Sequence, residues 1–377
     1  MHKAVVVLPT YNEAGNIARV VEEIFSLQPK IKTWELMVLV VDDFSPDNTA
    51  GIVKKLQSKY PALYLIQGKK EGLGKAYVRG FTYAISKLKA DVLFEMDADL
   101  QHPPGLIPKF LEQIDRGADF VIGARYIKGG AIPKNWGLHR KAFSILANLI
   151  VRLGFMTLRI HDWTNGYRCI RTSFIKQILT QLDPYSGYLF QIALLDKALK
   201  NNVVIKEIPM KFRDRKKGVS KIQSLEFILS IFFYILGNSS FIKYVAVGLF
   251  GFVVDFGFAY LFIYLFNINK VASNSLSAEI AIIFNFLLNN FWSFKHKQIS
   301  GGVGQYLKKF ALFNLVSSGS IVIQGVGMWL LLSSLGDSVW TIVNFQISSW
   351  IVYKVLIISL VVIPYSYFMY NKIIWKN

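Results

Sequence analysis

The sequence predicts an N-terminal α/β domain with a mostly parallel sheet, then amphipathic helices at a membrane surface, then a transmembrane domain of four helices. Three observations lead to this prediction. Short apolar runs alternate with amphipathic stretches over residues 1–125, which favours a parallel sheet covered by helices. The mean hydropathy of +0.37 and the 53% share of hydrophobic residues are too high for a soluble protein of 377 residues. Residues 121–240 hold 19 basic and 6 acidic residues, so the net charge there is +13.

The elements of the N-terminal domain follow from this alternation. Each predicted strand is a short apolar run bounded by turn residues. The predicted strands are residues 5–8, 36–41, 63–66, 92–96 and 120–123. The predicted helices cover residues 14–27, 47–59, 73–88 and 105–116. Ligands of such sheets bind beyond the carboxyl ends of the strands, and polar motifs follow several of these runs.

Two apolar segments follow the α/β pattern. Residues 138–156 place Arg140, Lys141 and Arg152 among large apolar side chains, which predicts an amphipathic helix lying at a membrane surface. A core helix of the α/β domain is the alternative. Residues 222–240 are more apolar and are predicted to form a second interfacial helix, with a segment that leads into the membrane as the alternative.

The region 241–377 predicts four membrane spans. They cover residues 243–266, 274–294, 309–335 and 341–367. A helix of about 22 residues rises about 33 Å, enough to cross a hydrocarbon core of about 30 Å. The second span contains polar residues that we expect to face other helices rather than lipid. These residues are Glu279, Asn285, Asn289 and Asn290.

The distribution of lysines predicts the orientation in the membrane. Lysines are concentrated in the loop between the second and third spans, at residues 295–309, and in the tail at 372–376. The positive-inside rule then places the α/β domain and both termini in the cytoplasm. The apolar run at residues 3–8 is too short for a signal peptide, which agrees with this placement. The single cysteine, Cys169, excludes a disulfide scaffold.

The string DADLQHPP at residues 97–104 is the most specific chemical signal. Asp97 and Asp99 follow the run 92–96, and two carboxylates at a strand end can share a metal ion and the diphosphate that it holds. Gln101 adds a neutral oxygen ligand of a kind that hard cations accept. An Asp-rich turn after a strand also occurs without any ligand, but the complete string is far more specific than the two acids.

Other polar residues follow the first two strands. Asp42 and Asp43 end the second apolar run, where they could instead serve as charges favoured by a helix dipole. Residues 9–13 (PTYNE) follow the first run, and a ring beside a carboxylate there could hold a base or a ribose. An ordinary turn is the alternative for this segment.

Cations are the third signal. Lysine and arginine dominate residues 213–221, and a flexible basic loop suits a diphosphate leaving group or acidic lipid headgroups. A solvated charge run is the alternative. A nucleic-acid site is not expected, because the run leads straight into a hydrophobic helix. Arg125 follows the fifth run and either faces the active cleft or is a surface cation.

These motifs resemble those of one family, the dolichyl- or polyprenyl-phosphate mannose synthases, which are inverting glycosyltransferases with a GT-A fold. PTYNE, VVDD, GLGKA, DADLQHPP, the G-x-R of residues 123–125, TNGYR at 164–168 and the basic G-x-SK loop occur in that order. The resemblance covers about residues 1–225. The region 241–377 resembles a GtrA-like four-helix membrane domain. TNGYR differs from the more usual TSGFR-type string, a difference that we expect to bear on the choice of sugar.

The resemblance implies roles for particular residues. The donor contacts would be Pro9, Tyr11, Glu13, Val40, Asp42, Asp97, Ala98, Asp99, Gln101, Arg125, Arg215 and Lys221. Mg²⁺ or Mn²⁺ would bind at Asp99 and Gln101, and the catalytic residues would be Asp97, Asp99 and Arg125. Arg125, Arg140 and Ser144 would bind the acceptor phosphate.

The expected reaction transfers a hexose, with mannose from GDP-mannose favoured, to a polyprenyl or dolichyl phosphate in the membrane. The expected partners are the nucleotide sugar, the lipid phosphate and possible further copies of the chain. A polyprenyl-phosphate glucosyltransferase that uses UDP-glucose, or an aminosugar transferase, would share nearly every motif. A processive polysaccharide synthase would usually carry a Q-x-x-R-W string, and the sequence has none. A lipid-binding or flipping membrane protein with a degenerate transferase domain is an alternative of another class.

Overall fold

The apolar runs of the N-terminal half become strands of one seven-stranded sheet. The computed structural model describes residues 1–133, 136–185, 187–213, 224–342 and 345–376, and the chain divides into two units, Met1–Tyr234 and Ile235–Asn377. The strands of the first unit are β1 (His2–Thr10), β2 (Trp34–Asp42), β3 (Leu63–Gln67), β4 (Val92–Glu95), β5 (Phe120–Ala124), β6 (Arg168–Arg171) and β7 (Ile205–Pro209). Their order is β3-β2-β1-β4-β6-β5-β7, and β6 is antiparallel to both neighbours while the other pairs are parallel.

Helices connect these strands. In chain order they are α1 (Ile17–Phe25), α2 (Thr49–Gln57), α3 (Leu73–Tyr83), α4 (Ile107–Asp115), α5 (Leu138–Gly154), α6 (Thr172–Leu182), α7 (Gly187–Lys200) and α8 (Ser224–Asn238). Consecutive residues of the central strands, such as Ala4–Leu8 and Val38–Val41, are fully buried. Since successive side chains point to opposite faces of a sheet, both faces are covered. Gly80 allows close approach, because a Cβ there would lie 2.6 Å from Val7 Cγ1.

The five predicted strands and four predicted helices are confirmed, with ends that shift by a few residues. The sequence did not predict β6, β7, α6 or α7. Arg168–Arg171 reads RCIR and Ile205–Pro209 reads IKEIP, so neither strand is a continuous apolar run. Both lie in the β6-β5-β7 half of the sheet, and β7 is an edge strand, where polar residues are tolerated.

The strand order creates a natural binding crevice. The chain proceeds outward from β1 through β2 to β3, and β4 then returns to pair with the other side of β1. Such a reversal is a topological switch point, where the loops after two neighbouring parallel strands leave in opposite directions. The loops after β1 and β4 are therefore the two sides of a crevice at the carboxyl edge of the sheet.

A buried contact between Arg168 and Glu95 joins the parallel half of the sheet to β6. Arg168 and Glu95 are both fully buried, with Arg168 Nε 3.8 Å from Glu95 Oε2. The guanidinium also donates to three backbone carbonyls, those of Asn165, Gln191 and Trp163, at 2.7–2.9 Å. Burial raises the pKa of Glu95 to about 8, and the neighbouring Arg168 opposes that rise.

Among its described residues, the second unit contains four helical segments that are long and apolar enough to cross a membrane, which confirms the predicted number of spans. They are Ser240–Tyr264, Lys270–Ser293, Val303–Leu335 and Ser349–Ile374. Their α-helical parts are α9 (Ser240–Tyr264), α10 (Lys270–Leu288), α11 (Val303–Leu335), α12 (Ser349–Ile357) and α13 (Ile363–Met369).

The predicted start of the fourth span, residue 341, is wrong. The chain forms an antiparallel pair, β8 (Val339–Ile342) with β9 (Phe345–Ser348), before the helix begins at Ser349. The Ser349 hydroxyl accepts from the backbone N–H of Ser338 and donates to Asp337. These polar contacts at the base of the hairpin delay the helix.

The expectation for the polar residues of the second span is only partly met. Asn289 and Asn290 are buried. Glu279 is exposed on the same side of α10 as Ile283 and Leu287, so the expectation that it faces other helices is wrong.

We expect Arg168→Met to destabilise the first unit by about 3–5 kcal/mol, because it leaves the carbonyls of Asn165, Gln191 and Trp163 buried without their hydrogen-bond donor. The midpoint of thermal unfolding should then fall on the order of 10 °C. Cys169 gives a direct readout, since it is the single cysteine and is fully buried on β6, where burial raises its pKa. A thiol-reactive fluorophore should label Cys169 only when the first unit unfolds.

Arg116→Met is the matched control, because the Arg116 side chain is 68% exposed and pairs only with Glu112 on the same helix. Its midpoint should stay near that of the unaltered chain. An unchanged midpoint in Arg168→Met would show that the buried pair does not hold the two halves of the sheet together.

Candidate active site

The loops after β1 and β2 are joined by side-chain hydrogen bonds. The backbone N–H groups of Asn12, Glu13 and Ala14 donate to Ser45, Thr49 and Asp47 respectively, at 2.9–3.1 Å. Each acceptor belongs to the segment between β2 and the first turn of α2. The PTYNE segment is therefore held in place by the segment SPDNT, so the two predicted donor-binding loops form one wall.

Asp42 is the centre of this wall. Its carboxylate accepts hydrogen bonds from the hydroxyls of Thr10 and Ser45, from the Ser45 N–H and, at 3.3 Å, from the Gln67 amide. Asp42 is fully buried, and so is Val40 in the hydrophobic core. Neither side chain therefore has exposed surface with which to contact the donor. Asp42 instead positions the loops that follow three strands.

The exposed residues of this wall are aromatic and charged. The Lys70 ammonium lies 3.5 Å from the centroid of the Tyr11 ring. Glu13 accepts a hydrogen bond from the Asn16 side chain at 2.8 Å. Phe44, which the motif analysis did not single out, is 58% exposed and has a φ of +49°. A bulky side chain rarely adopts this left-handed conformation, and strain of this kind concentrates at functional sites.

The opposite wall is the segment Asp97–Pro104 after β4, here called the metal loop. The Asp97 side chain is 40% exposed, and Asp99 is partly exposed. Asp99 Oδ1 accepts from the Gln101 N–H at 3.0 Å, and Leu100 between them has a φ of +64°. Ala98 and Gln101 are mostly buried.

The donor chemistry of the metal loop fits a divalent cation. Its groups are two carboxylates and an amide, which are oxygen ligands of the type that Mg²⁺ takes. Among the described residues, no three His, Cys, Asp or Glu side chains come close enough to form a complete protein cage. Mg²⁺ is usually bound by one or two carboxylates together with substrate phosphates, so this sparse set is the expected one.

His102 fixes the metal loop from beneath. Its Nδ1 accepts from the Asp97 N–H at 3.0 Å, so its Nε2 carries the proton and donates to Asn165 Oδ1 at 3.1 Å. Burial lowers the pKa of His102 to about 4, and the ring is therefore neutral at neutral pH. Its 3.7 Å approach to the Asp97 carboxylate is consequently not an ion pair.

Arg125 is not a surface cation. It is 8% exposed, and its guanidinium donates two hydrogen bonds of 2.7 Å to Asp162. The same guanidinium donates to the Thr164 hydroxyl at 2.8 Å. The positive charge of Arg125 is thus compensated by a buried carboxylate, and the residue ties the end of β5 to the segment before β6.

The predicted acceptor residues lie on α5. Arg140 lies over the Trp136 ring, with 3.9 Å between the guanidinium carbon and the ring centroid. The buried Arg140 Nε has no hydrogen-bond partner among the described residues. The Ser144 hydroxyl is 2.6 Å from the Tyr126 hydroxyl, next to Arg125.

The other side of α5 is apolar and faces outward. Ala147, Asn148 and Val151 are buried against the domain. Six large apolar residues are between 42% and 84% exposed. These residues are Leu138, Phe143, Ile145, Leu146, Leu149 and Leu153. A core helix would bury such side chains, so the alternative reading of α5 is not supported, and its surface suits a lipid interface.

Phe212 connects the two sets of predicted residues. Its ring contacts His102 edge-on at 5.6 Å and Trp136 edge-on at 5.8 Å between centroids. The Arg125 guanidinium lies 5.6 Å from the same ring. Phe212 therefore joins the metal loop to the Arg140 region through one layer of aromatic side chains within the first unit.

The basic segment begins beside the metal loop. The Arg213 N–H donates to the Gln101 carbonyl at 3.1 Å, and the Gln101 side chain approaches the Arg213 carbonyl at 3.4 Å. Arg215 and Lys221 lie outside the described residues. Their predicted roles at the donor diphosphate stay predictions, but the chain enters their segment directly at the metal loop.

The structure thus brings the exposed donor residues, the metal loop and the α5 residues to one edge of the sheet. The sequence motifs predicted a stiffening role for the segment His102–Pro104, but they did not predict the supporting roles of Asn165, Asp162 and Phe212. His102 lies in the string DADLQHPP and Asn165 in TNGYR, so the sequence did mark both positions as candidates for a role at the site. Asp162 and Phe212 contribute only through long-range contacts and carry no local pattern.

Comparisons with known proteins agree with this architecture. A model described as "Glycosyl transferase family 2" matches residues 5–179, and one described as "GtrA/DPMS, transmembrane domain" matches residues 243–375. A dolichol-phosphate mannosyltransferase of Pyrococcus furiosus is 34% identical over 338 residues, which cover 88% of this chain and 91% of that protein. A polyprenol monophosphomannose synthase of Mycolicibacterium smegmatis is 36% identical over 222 residues, covering 58% of this chain and 81% of that protein.

Among solved structures, glucosyl-3-phosphoglycerate synthase of Mycobacterium tuberculosis matches with a TM-score of 0.44 and 16% identity, over 63% of this chain and 78% of that chain. A similarity of this strength gives no information about ligands or mechanism. The match along nearly the whole Pyrococcus protein is decisive. The chain is a membrane glycosyltransferase that belongs to the dolichol- and polyprenyl-phosphate mannosyltransferase family, with a GT-A-like domain and a GtrA-like transmembrane domain.

Proposed function

We propose that this glycosyltransferase transfers mannose from GDP-mannose to the phosphate of a polyprenyl or dolichyl phosphate, with inversion at the anomeric carbon. The observation that carries the proposal is the buried Nε–H of Arg140, which has no hydrogen-bond partner among the described residues and belongs to the helix whose other side is exposed and apolar. A buried guanidinium donor at the border of a lipid-facing surface suits a lipid phosphate. The names of the mannosyltransferase relatives agree with mannose and a lipid phosphate.

The donor would lie between the two walls of the crevice. Pro9, Tyr11 and Glu13 would contact the nucleoside, while Asp97, Asp99 and Gln101 would hold Mg²⁺ or Mn²⁺ with the diphosphate. The cation would stabilise the negative charge that develops on the nucleoside diphosphate as it leaves. Arg215 and Lys221 would contact the same diphosphate from the basic segment, which begins at Arg213 beside Gln101.

The acceptor phosphate would bind at Arg140 and Ser144. Its oxygen is already anionic near neutral pH, so attack on the anomeric carbon needs no strong general base. The main obstacle is the repulsion between the acceptor phosphate and the donor diphosphate, which Arg140 reduces. Arg125 is compensated by Asp162, so we assign it to the orientation of Ser144 and Tyr126 as well as to phosphate contact. Direct attack from the face opposite the leaving group inverts the configuration.

The membrane would organise the two substrates. The apolar side of α5 would lie in the headgroup region and deliver the lipid phosphate to Arg140. The lysines of residues 295–309 and the C-terminal lysines favour a cytoplasmic location for the first unit and for both termini.

Phe44 would extend the nucleotide site. Its exposed ring follows Asp42 and Asp43 at the end of β2, close in sequence to the loop that holds PTYNE. The left-handed backbone of Phe44 is unfavourable, and its exposed ring gains no packing inside the domain to offset this cost. Stacking on the base of the donor would give the ring a function.

We expect Asp99→Ala to reduce mannose transfer about a hundredfold or more, because it removes a ligand of the charge-stabilising cation. The assay would measure radiolabelled mannose transferred to polyprenyl phosphate in detergent with Mn²⁺. Chelation by EDTA should stop transfer, and added Mn²⁺ should restore it. Labelling of Cys169 verifies that the variant is folded.

Asp91→Asn is the matched control, because Asp91 precedes the same strand at its opposite end and binds the Lys3 N–H. It should keep normal turnover. If the unaltered protein prefers UDP-glucose to GDP-mannose as donor, the proposed mannosyl transfer is wrong and glucosyl transfer takes its place. If it binds lipid phosphate but transfers no sugar, the alternative of a lipid-binding or flipping protein is favoured.

We expect Arg140→Ala to raise the KM for polyprenyl phosphate about ten- to hundredfold, since a charge-assisted hydrogen bond to phosphate is lost. The KM for GDP-mannose should change much less. Arg152→Ala is the control, because Arg152 lies on the same helix, three turns away, and donates to the Leu158 carbonyl. Equal losses for both substrates, or in both variants, would argue against the phosphate contact.

We expect Phe44→Gly to raise the KM for GDP-mannose about five- to hundredfold through the loss of base stacking. The unfolding midpoint should stay constant or rise, because glycine adopts the left-handed backbone without strain. Lys89→Gly is the control for strain alone, since Lys89 has a φ of +57° at a helix end. An unchanged donor KM in Phe44→Gly would remove Phe44 from the nucleotide site.

A further inference from the structure

We propose that Asn165 and Tyr167 are positioning residues that hold the metal loop in the conformation that binds the divalent cation. This inference rests on the proposed role of Asp97, Asp99 and Gln101 as the residues that hold the cation. Asn165 and Tyr167 act through His102 and Pro103, the two residues that follow Gln101 in the metal loop.

Asn165 connects the metal loop to the sheet through a directed series of hydrogen bonds. The Asp97 N–H donates to His102 Nδ1 at 3.0 Å, and His102 Nε2 donates to Asn165 Oδ1 at 3.1 Å. Asn165 Nδ2 donates in turn to the carbonyl of Gly123 on β5. A backbone N–H can only donate and a carbonyl can only accept, so both ends fix the direction of every bond between them.

Tyr167 supports the same loop at the next residue. Its hydroxyl donates to the Pro103 carbonyl at 3.1 Å. Its ring also stacks on the His102 ring, with 5.1 Å between centroids and an interplanar angle of 15°. Asn165, Tyr167 and His102 are at most 2% exposed, so water cannot replace these contacts.

The metal loop needs this support because its own backbone is unfavourable. Leu100 adopts a left-handed conformation between Asp99 and Gln101, and the two carboxylates repel each other before the cation binds. A strained loop persists only when the surrounding structure over-determines it. His102 and Pro103 supply the two fixed points beyond the ligands.

The support itself is anchored in the core. Arg168 Nε donates to the Asn165 carbonyl at 2.9 Å, and the same guanidinium donates to the Trp163 carbonyl at 2.9 Å. The segment before β6 is therefore fixed to the buried Arg168, and Asn165 cannot move away from His102 without breaking these bonds. The cation ligands are consequently held on a rigid element, which is a requirement of a preorganised site.

The two residues are also those in which TNGYR differs from a TSGFR-type string. A serine at position 165 is too short to reach both His102 Nε2 and the Gly123 carbonyl, and a phenylalanine at position 167 lacks the hydroxyl. The expectation that this difference bears on the choice of sugar is not supported by the structure, because both side chains are buried beneath the metal loop. The difference instead bears on the cation.

The test measures Mn²⁺ affinity directly by electron paramagnetic resonance of free Mn²⁺. The full-length protein in detergent is titrated with GDP present, and separately with UDP, because diphosphate oxygens complete the coordination. We expect Asn165→Ser to raise the Mn²⁺ Kd about ten- to hundredfold, the range found for partners that orient metal ligands. Tyr167→Phe should raise it about two- to tenfold, since it removes one hydrogen bond.

Asn148→Ser is the matched control. Asn148 is 3% exposed and makes three hydrogen bonds, to the Ser144 carbonyl, the Thr164 hydroxyl and the Trp163 N–H, none of which involves the metal loop. It should lower the unfolding midpoint as much as Asn165→Ser does but leave the Mn²⁺ Kd unchanged. In Asn165→Ser and Tyr167→Phe, raising Mn²⁺ should restore kcat.

Each outcome separates the two proposals. If the unaltered protein binds no Mn²⁺ with either nucleotide, the cation site itself is wrong. If the unaltered protein binds Mn²⁺ and both variants bind it equally well, the positioning role is wrong. An equal loss of affinity in Asn148→Ser would also overturn it, because the effect would be one of general stability. If Asn165→Ser does not fold, Tyr167→Phe decides the question alone.

Discussion

The guanidinium of Arg168 is the interaction on which the rest of the first unit depends. It is a full charge without solvent exposure, so it must be surrounded by acceptors, and its position fixes where those acceptors lie. Three carbonyls accept its hydrogen bonds, and Glu95 on β4, whose pKa is raised by burial, lies 3.8 Å from it. One side chain thereby sets the distance between the strand that carries the metal loop and the segment that supports this loop. Such a pair contributes little net stability, but it specifies one arrangement.

The site combines two kinds of surface that rarely meet in a soluble enzyme. The crevice at β1 and β4 is polar, with carboxylates and a partly exposed Tyr11. The outer side of α5 is apolar over about four turns. Phe212 and Trp136 lie between them, and their rings connect His102 to Arg140 through direct contacts. A charged reaction can therefore take place next to a hydrocarbon surface, where a polar wall alone would not hold the lipid.

The sequence was sufficient for the parts of the fold that depend on local pattern. Continuous apolar runs identified β1 to β5, and the four membrane spans followed from length and hydropathy. The strands β6 and β7 were missed because Arg168, Arg171 and Lys206 interrupt their apolar pattern, and the buried Arg168 is tolerated through carbonyl acceptors that only the folded chain brings to it. A similar limit applies to the site. Asp97, Asp99 and Gln101 can be recognised as candidate ligands from one short string. The role of Asp162 can be recognised only from its contact with Arg125 in the folded chain. Val40 is the opposite case. The family resemblance implied that it contacts the donor, whereas the structure buries its side chain in the sheet.

The outward leucines of α5 have a consequence for the division of labour within the chain. A catalytic unit that carries its own lipid-seeking surface does not depend on a separate anchor to reach a bilayer. The membrane-spanning unit is then not needed as an anchor alone. Its buried Asn289 and Asn290 suggest a polar interior, which a simple anchor would not need. Synthesis of a glycolipid at one leaflet and handling of that glycolipid afterwards would be two tasks that evolution could combine, or separate, without redesigning either.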